Sequence, residues 1–399
     1  TLMRSSAASD VYKRQDMERL EVQSFGPIGK VSVEFGDLTL LIGPQASGKS
    51  IFLQLLKLLV DKKHILYTLN QYNYIWNKNP TNILEVYFGD GMSEIWKRES
   101  HIKLDDKNYC RDSLLGAYTK SVPETMFYIP AQRILSIADG RPKNFMEFDN
   151  STPYVLRYFS ETLRLFMQNG MGNPEAIFPI KNRLKAALRN SFNNSIFHDG
   201  KVIMEEQMGQ RKMRMEVNGL SVPFMTWSAG QKEFMPLLLG FYCLLGPKSR
   251  VIDSETYNYV IIEEPEMGLH PEAIKSVIIQ IIELISRGYK VIVSTHSPVF
   301  LEFAWVFNEL KKTEAPNLDD SLYELFDMRQ TPATHQLFDG LFKKQIKTFY
   351  FNRPDNKMVE SQDISDLDAG SDDPAISEWG GISQFAGKAA EILSKYYCA

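Results

Sequence analysis

The chain has 399 residues, 44% of them hydrophobic and 24% charged, with a formal net charge of −4. That composition supplies a substantial core and gives no global electrostatic reason to bind nucleic acid, while leaving a local basic patch open. Three widely spaced cysteines, Cys110, Cys243 and Cys398, form neither a disulfide framework nor a zinc site and fit a reducing cytoplasmic setting. No apolar run nears the ~20 residues that cross a bilayer, so no membrane partner is expected.

Residues 1–15 are set aside as a sequencing-adapter scar: Asp10-Val11-Tyr12-Lys13-Arg14-Gln15 resembles translated adapter sequence. Removing them takes away a net +2 and leaves −6. Residues 16–144 read as an N-terminal lobe. A strand is predicted over 20–25, and a β-rich run over 37–42 ends at Gly43. A strongly apolar helix follows over 51–59, then short strands including 82–88 and 124–129. An insert is expected over 145–226. Tyr154, Phe159, Leu163 and Phe166 have helical spacing, as do Ile180, Leu184 and Leu188, and a hairpin runs from 201 to 217 with its turn at 208–210.

Residues 227–305 form the second lobe, in the order motif and helix, strand, helix over 272–287, strand. The apolar runs 259–262 and 289–293 look buried on both faces, as central parallel strands are. The stretch 236–245 reads as a buried helix, with Pro236 expected to kink or bend it. In the extension 306–399, a strand is predicted at 346–351 and a turn at 353–356. An acidic loop or mobile tail follows at 361–374, and a last helix at 382–397. The fold class is α/β, with a mostly parallel central sheet, an antiparallel N-terminal β part and an inserted helical and hairpin subdomain.

Five short motifs lie on this frame. Gly43-Pro44-Gln45-Ala46-Ser47-Gly48-Lys49-Ser50 is a complete phosphate-binding loop between a buried strand and a helix. Its backbone N–H groups and the helix N-terminus cradle phosphates, Lys49 reaches the β- and γ-phosphates, and the Ser50 hydroxyl ligates Mg²⁺. Glu263 and Glu264 end an apolar strand, where the first acid holds Mg²⁺ and the second orients or deprotonates the attacking water. Adjacent acids at a strand end are often only solvated turn residues. The phosphate loop and the following Pro265-Glu266-Met267-Gly268-Leu269-His270-Pro271 weigh against that.

Ser228-Ala229-Gly230-Gln231 precedes a helix and offers a second anion-binding N-terminus. One domain cannot readily use two such ends on one nucleotide, so this one is expected to cap the nucleotide of a second copy; a plain helix cap is the simpler alternative. His296, ending a buried strand, is placed for the γ-phosphate or the water, although a lone histidine there is usually structural. Gln132 is placed to sense Mg²⁺ or water and to link the site to the insert. Residues 25–30 are the candidate for the adenine by position.

In this order the motifs resemble the ATP-binding-cassette superfamily, and within it the ATPase heads related to SMC, RecF and overcoming-lysogenization-defect (OLD) proteins. The resemblance covers about 20–300. It implies a P-loop ATPase using ATP and Mg²⁺, with Glu264 as catalytic base and His296 as switch histidine. Glu263 departs from the usual aspartate at the Mg²⁺ position, and with Glu-Glu-Pro-Glu and Leu-His-Pro this looks like OLD and abortive-infection ATPases. Ala229 replaces a glycine common in the signature.

Three roles compete. The first is an ATP-dependent homodimer acting as a sensor or gate in phage defence through a separate effector. The second is a DNA-repair or chromosome-maintenance head that clamps DNA, and the third is a transporter motor. The long insert and Glu263 disfavour the motor, and the missing coiled coil disfavours a full SMC-type protein. About a hundred residues follow His296, too few for the OLD nuclease module, so none is expected here. Asn77-Lys78-Asn79-Pro80 lacks the acid that selects guanine, and no kinase catalytic loop is present. Arg157, Arg164, Lys181, Arg183, Lys185 and Arg189, interleaved with aromatics, are the one candidate nucleic-acid surface, and most such runs are solvated helix faces.

Overall fold

A computed structural model describes residues 17–76, 79–115, 120–172, 175–207, 209–249, 251–313, 315–354 and 357–397. The adapter-like segment, Cys398, Met208 of the predicted hairpin turn, Asn77 and Lys78, and Asp355 and Asn356 lie outside them. The N-terminal strands are β1 (Arg19–Phe25), β2 (Ile28–Glu34) and β3 (Leu38–Ile42). Helices α1 (Lys49–Val60), α2 (Lys62–Gln71) and α3 (Pro80–Phe88) follow, then β4 (Trp96–Leu104), β5 (Lys107–Tyr109) and β6 (Met126–Ile129).

A two-stranded ribbon, β7 (Ile137–Ala138) and β8 (Arg141–Pro142), leads into α4 (Tyr154–Leu165) and α5 (Ala186–Phe192). The hairpin strands β9 (Lys201–Gln207), β10 (Gln210–Val217) and β11 (Leu220–Pro223) come next. The second lobe holds α6 (Ala229–Leu245), β12 (Tyr259–Glu263), α7 (Pro271–Ser286), β13 (Lys290–Ser294) and α8 (Pro298–Lys312). Last come α9 (Asp319–Leu325), α10 (Pro332–Phe338), β14 (Ile346–Asn352), β15 (Val359–Asp363), α11 (Pro374–Ser377) and α12 (Gln384–Tyr397).

Among the described residues, ten strands make one sheet in the order β5-β4-β1-β2-β15-β14-β3-β13-β12-β6. Strands β14, β3, β13, β12 and β6 run parallel, whereas β2, β1, β4 and β5 pair antiparallel. Strand side chains alternate between faces, and here both faces are covered. Leu40, Ile42, Val260, Ile262, Val291 and Val293 join a core with α6, α7 and α8. Leu41, Ile261 and Ile292 join another with α1, α2 and α3. Each such side chain contributes roughly 1.5–3 kcal/mol when fully buried. Side chains of the insert, among them Phe159, Phe178 and Phe192, share the first core.

Two expectations need correction. Residues 82–88 are helical: Asn79 caps α3 through its side chain, Pro80 opens it, and Ile83, Leu84, Tyr87 and Phe88 form its buried face. The acidic stretch from 361 is not wholly loop or tail, because β15 lies inside the sheet between β2 and β14. Helix α6 runs on through Pro236 without interruption. Its Gly240 allows a close approach to β6, since a Cβ there would lie 2.9 Å from Ile129 Cδ1.

The end of α1 is pinned to β6 by a buried polar cluster. Lys57 Nζ donates to Asp61 Oδ2 (2.7 Å), Glu124 Oε1 (2.5 Å) and the Met126 carbonyl (2.6 Å), and Tyr257 donates to Glu124 at 3.0 Å. A buried charge held on every side in this way fixes the register of the helix that carries the phosphate loop.

Candidate ATP site

The five parallel strands end on one side of the sheet, where ligands of open α/β sheets bind. Gly43 leaves β3 at φ 144°, and a Cβ there would stand 2.4 Å from the Phe351 carbonyl of β14. Ala46 (φ 57°) and Gly48 (φ 74°) take left-handed conformations that turn successive backbone N–H groups inward. Pro44, Gln45 and Ala46 form the exposed lip, and Gly43 and Ser47 the buried floor. Lys49 Nζ donates to Gly43 O (2.8 Å), Pro44 O (3.0 Å) and Ser47 Oγ (3.1 Å). Burial lowers its pKa to about 8, against the pull of Glu264, Glu263 and Glu266.

Those acids come from β12 and the loop after it. Glu263 Oε2 accepts the Ala131 N–H at 3.0 Å. Its Oε1 is buried without a hydrogen-bond partner, while the Ser50 and Tyr128 hydroxyls approach the same carboxylate. Burial raises the pKa of this acid. A buried oxygen left unpaired beside a serine hydroxyl at the foot of a phosphate loop suits a hard divalent cation, and Ser50 and Glu263 would be the residues to hold it. Glu264 follows at φ 43°, a strained value for a non-glycine residue, with its N–H donating to Ser294 O at 2.8 Å. Its carboxylate Oε1 lies 3.7 Å from His296 Nε2. The His296 pKa is lowered, first by burial and then by Lys49, with Glu264 opposing.

Two residues that the motif reading passed over hold this arrangement. Glu266 Oε1 accepts the Thr295 hydroxyl (2.8 Å) and the His296 N–H (2.6 Å), fixing the segment that carries the histidine. Arg133 is fully buried. Its Nη1 donates to the carbonyls of Glu263 (3.0 Å) and Glu264 (3.2 Å), Nη2 to Glu264 O (3.2 Å), and Nε to Glu233 O of α6 (3.1 Å). Glu266 stood inside a quoted motif and Arg133 beside Gln132. Gln132 itself is exposed just beyond β6.

Ser228 caps α6 in a reciprocal box: its hydroxyl accepts the Gln231 N–H (3.3 Å), and Gln231 Oε1 accepts the Ser228 N–H (3.2 Å). The simpler reading of the motif, a helix cap, is therefore realised, and Ser228 and Ala229 remain exposed. Gly230 sits backbone to backbone with the loop after the acids, where a Cβ on it would lie 2.5 Å from Gly268 O. The basic residues of the insert are largely committed elsewhere. Arg157 and Arg183 are buried, Arg164 pairs with Glu161 at 2.6 Å, and Arg189 donates to the Leu184 carbonyl at 2.6 Å. They do not form an open basic face.

Residues 138–302 match the family described as "AAA domain, putative AbiEii toxin, Type IV TA system". Residues 16–85 match a family described as a protein of unknown function, DUF2813. A segment of 86 residues is 33% identical to the Old nuclease of Escherichia phage P2, covering 20% of this chain and 14% of that protein. The chain thus spans about a seventh of that relative's length. Among solved structures, an SMC head bound to the C-winged helix domain of ScpA aligns at 16% identity and TM-score 0.38, over 72% of this chain and 91% of that one. The SMC head domain from Thermotoga maritima aligns at 12% identity and TM-score 0.34, over 72% and 92%. The family matches and the Old nuclease segment each cover part of the chain, and together with the phosphate loop beside an acidic strand they support an ATPase head of the SMC/OLD-like type.

Proposed function

We propose that the chain hydrolyses ATP with Mg²⁺ between two copies of itself, and that it works as a sensor or gate in anti-phage defence whose output belongs to a separate effector protein. The convergence of Lys49, Ser50, Glu263, Glu264 and His296 at the ends of β3, β12 and β13 carries the catalytic part. Lys49 neutralises the β- and γ-phosphates, and Ser50 and Glu263 hold the metal. Bound there, Mg²⁺ would screen phosphate charge as it develops in the transition state. Glu264 takes the proton of the attacking water, and the uncharged ring of His296 stays free to accept a hydrogen bond from that water. The defence role is supported by the AbiEii-type family match and the Old nuclease segment. With Arg157 and Arg183 buried and Arg164 paired with Glu161, the DNA-clamp alternative has less to support it.

Glu264→Gln should keep ATP binding and stop turnover, whereas Lys49→Ala should abolish binding, measured by calorimetry and phosphate release. Undiminished turnover in Glu264→Gln removes that residue from the catalytic role. Cleavage of DNA or RNA by the purified chain alone, with no partner added, sinks the gate reading.

A further inference from the structure

A cavity of about 830 Å³ opens between α5, the first half of α7 and the turn that joins α9 to α10. None of its lining residues belongs to the phosphate loop, the acid pair or the segment of His296. Its floor is polar. The buried Ser276 hydroxyl of α7 lies 2.6 Å from that of Ser191 and 3.3 Å from that of Ser195, and Ser195 also donates to the Ser191 carbonyl at 2.8 Å. A hydroxyl oxygen has two lone pairs beside its one proton, so this cluster keeps acceptor capacity for a ligand. Asn190 and Asn194, one turn apart, expose side-chain amides that make no hydrogen bond among the described residues. Apolar contact comes from Leu188, Ile279 and Phe326, the last fixed by the rings of Phe303 and Phe338 at 5.7 and 6.0 Å between centroids.

The rim carries charge of both signs. Lys275 Nζ lies 3.0 Å from Glu272 Oε1 and 3.5 Å from Asp327 Oδ2, tying α7 to the α9–α10 turn. Arg329 stands exposed on that turn, and its guanidinium has no hydrogen bond or ion pair among the described residues. Its backbone is held, because the Thr334 hydroxyl donates to Arg329 O at 2.9 Å. These groups discriminate between ligand classes. Two carboxylates sharing one lysine repel a polyanion, which weighs against nucleic acid and nucleotide phosphates. A hydroxyl-lined floor offers a lipid chain nothing in return for its lost hydration. Serine and asparagine side chains both donate and accept, as the alternating N–H and C=O groups of an extended peptide require. One unpaired guanidinium suits one carboxylate.

We propose that this cavity docks an extended peptide segment bearing one carboxylate, held through Asn190, Asn194 and the Ser191–Ser276 pair with Arg329 on the acid, and that the separate effector supplies the segment. Only the source of the peptide rests on the gate reading above. The volume lies within the range of about 300–1,000 Å³ usual for ligand pockets. Helix α7 begins just beyond the acid pair, and Gly268 in the loop between them sits against Gly230 at the start of α6. A segment seated on α7 is thus placed to follow the state of the loop that carries Glu264.

The test uses a display library of random short peptides selected on the parent chain. Recovered peptides should share one acidic residue and are then synthesised and measured by fluorescence anisotropy. Asn194→Trp fills the cavity from an exposed position and should abolish their binding while leaving fold and ATP turnover intact. Arg329→Ala should weaken them about tenfold, as the loss of one charged hydrogen bond implies, with Arg329→Lys in between. A non-hydrolysable ATP analogue should shift their affinity for the parent. Failure to recover any peptide overturns the proposal, and so do peptides that bind Asn194→Trp or Arg329→Ala as tightly as the parent. Peptides that respond to both variants but ignore the ATP analogue keep the peptide site and overturn the gate reading, and with it the effector as source.

Discussion

At the scale of single residues, Lys49 carries a consequence that can be measured without turnover. Its ordinary pKa of 10.5 falls to about 8 because burial disfavours its charge. A lysine whose folded pKa is lowered costs stability below that pKa, and the cost fades as pH rises towards 10.5. Phosphates at the loop favour the charged form and draw a proton back. Nucleotide binding near pH 9 should therefore take up close to one proton per site, and near pH 7 almost none. Calorimetry in buffers of different ionisation enthalpy measures this directly, and a binding enthalpy independent of buffer at pH 9 would contradict it. Glu263 shows the opposite consequence of burial, since its unpaired Oε1 is tolerable beside Ser50 only if a cation or a proton satisfies it.

At the scale of elements, Arg133 joins the end of β12 to α6 through three carbonyls a hundred or more residues away in the chain. Removing its guanidinium takes a donor from each of those carbonyls, although Glu264 O keeps the Met267 N–H at 3.2 Å, and a buried group left unsatisfied costs roughly 1–3 kcal/mol. Arg133→Met should lower the unfolding free energy by several kcal/mol in denaturant titrations. Arg133→Lys keeps the charge but not the fork that reaches both glutamate carbonyls. It should cut kcat more than about tenfold while leaving nucleotide affinity nearly intact, because the loop 43–50 is untouched. A change confined to affinity would place the arginine outside the positioning of Glu264.

This clamp also marks what could be read from the sequence. The phosphate loop, the acid pair and His296 could be singled out in the sequence because such residues stand at fixed local spacing, and the structure brings them together. The buried parallel strands were legible from their unbroken apolar runs. Arg133 and Glu266 bond to backbone and hydroxyl groups of distant segments, which leaves no periodic trace. A short, largely apolar stretch such as 82–88 suits a strand or a helix equally, and Asn79-Pro80 was the signal for the helix. Strand β15 escaped because among its residues only Val359 is buried, so no apolar pattern announces it.

At the scale of the whole molecule, the start of α6 is the feature that one chain leaves unused. Ser228 is satisfied by its own cap yet stays exposed, and Met225, three residues before it, is 60% exposed. A capped helix end still directs its first N–H groups and its dipole outward. In a two-fold dimer the same patch appears twice, so each copy can close the nucleotide held on the Lys49 loop of the other. Light scattering of Glu264→Gln should show ATP shifting monomer to dimer, and Ser228→Arg in that background should block the shift by adding bulk at the contact. Losing the cap alone costs about 1 kcal/mol, so Ser228→Thr, which keeps a capping hydroxyl, separates the two effects and should still dimerise. If Ser228→Arg dimerises and, in the otherwise intact chain, hydrolyses like the parent, the nucleotide is not shared through this surface.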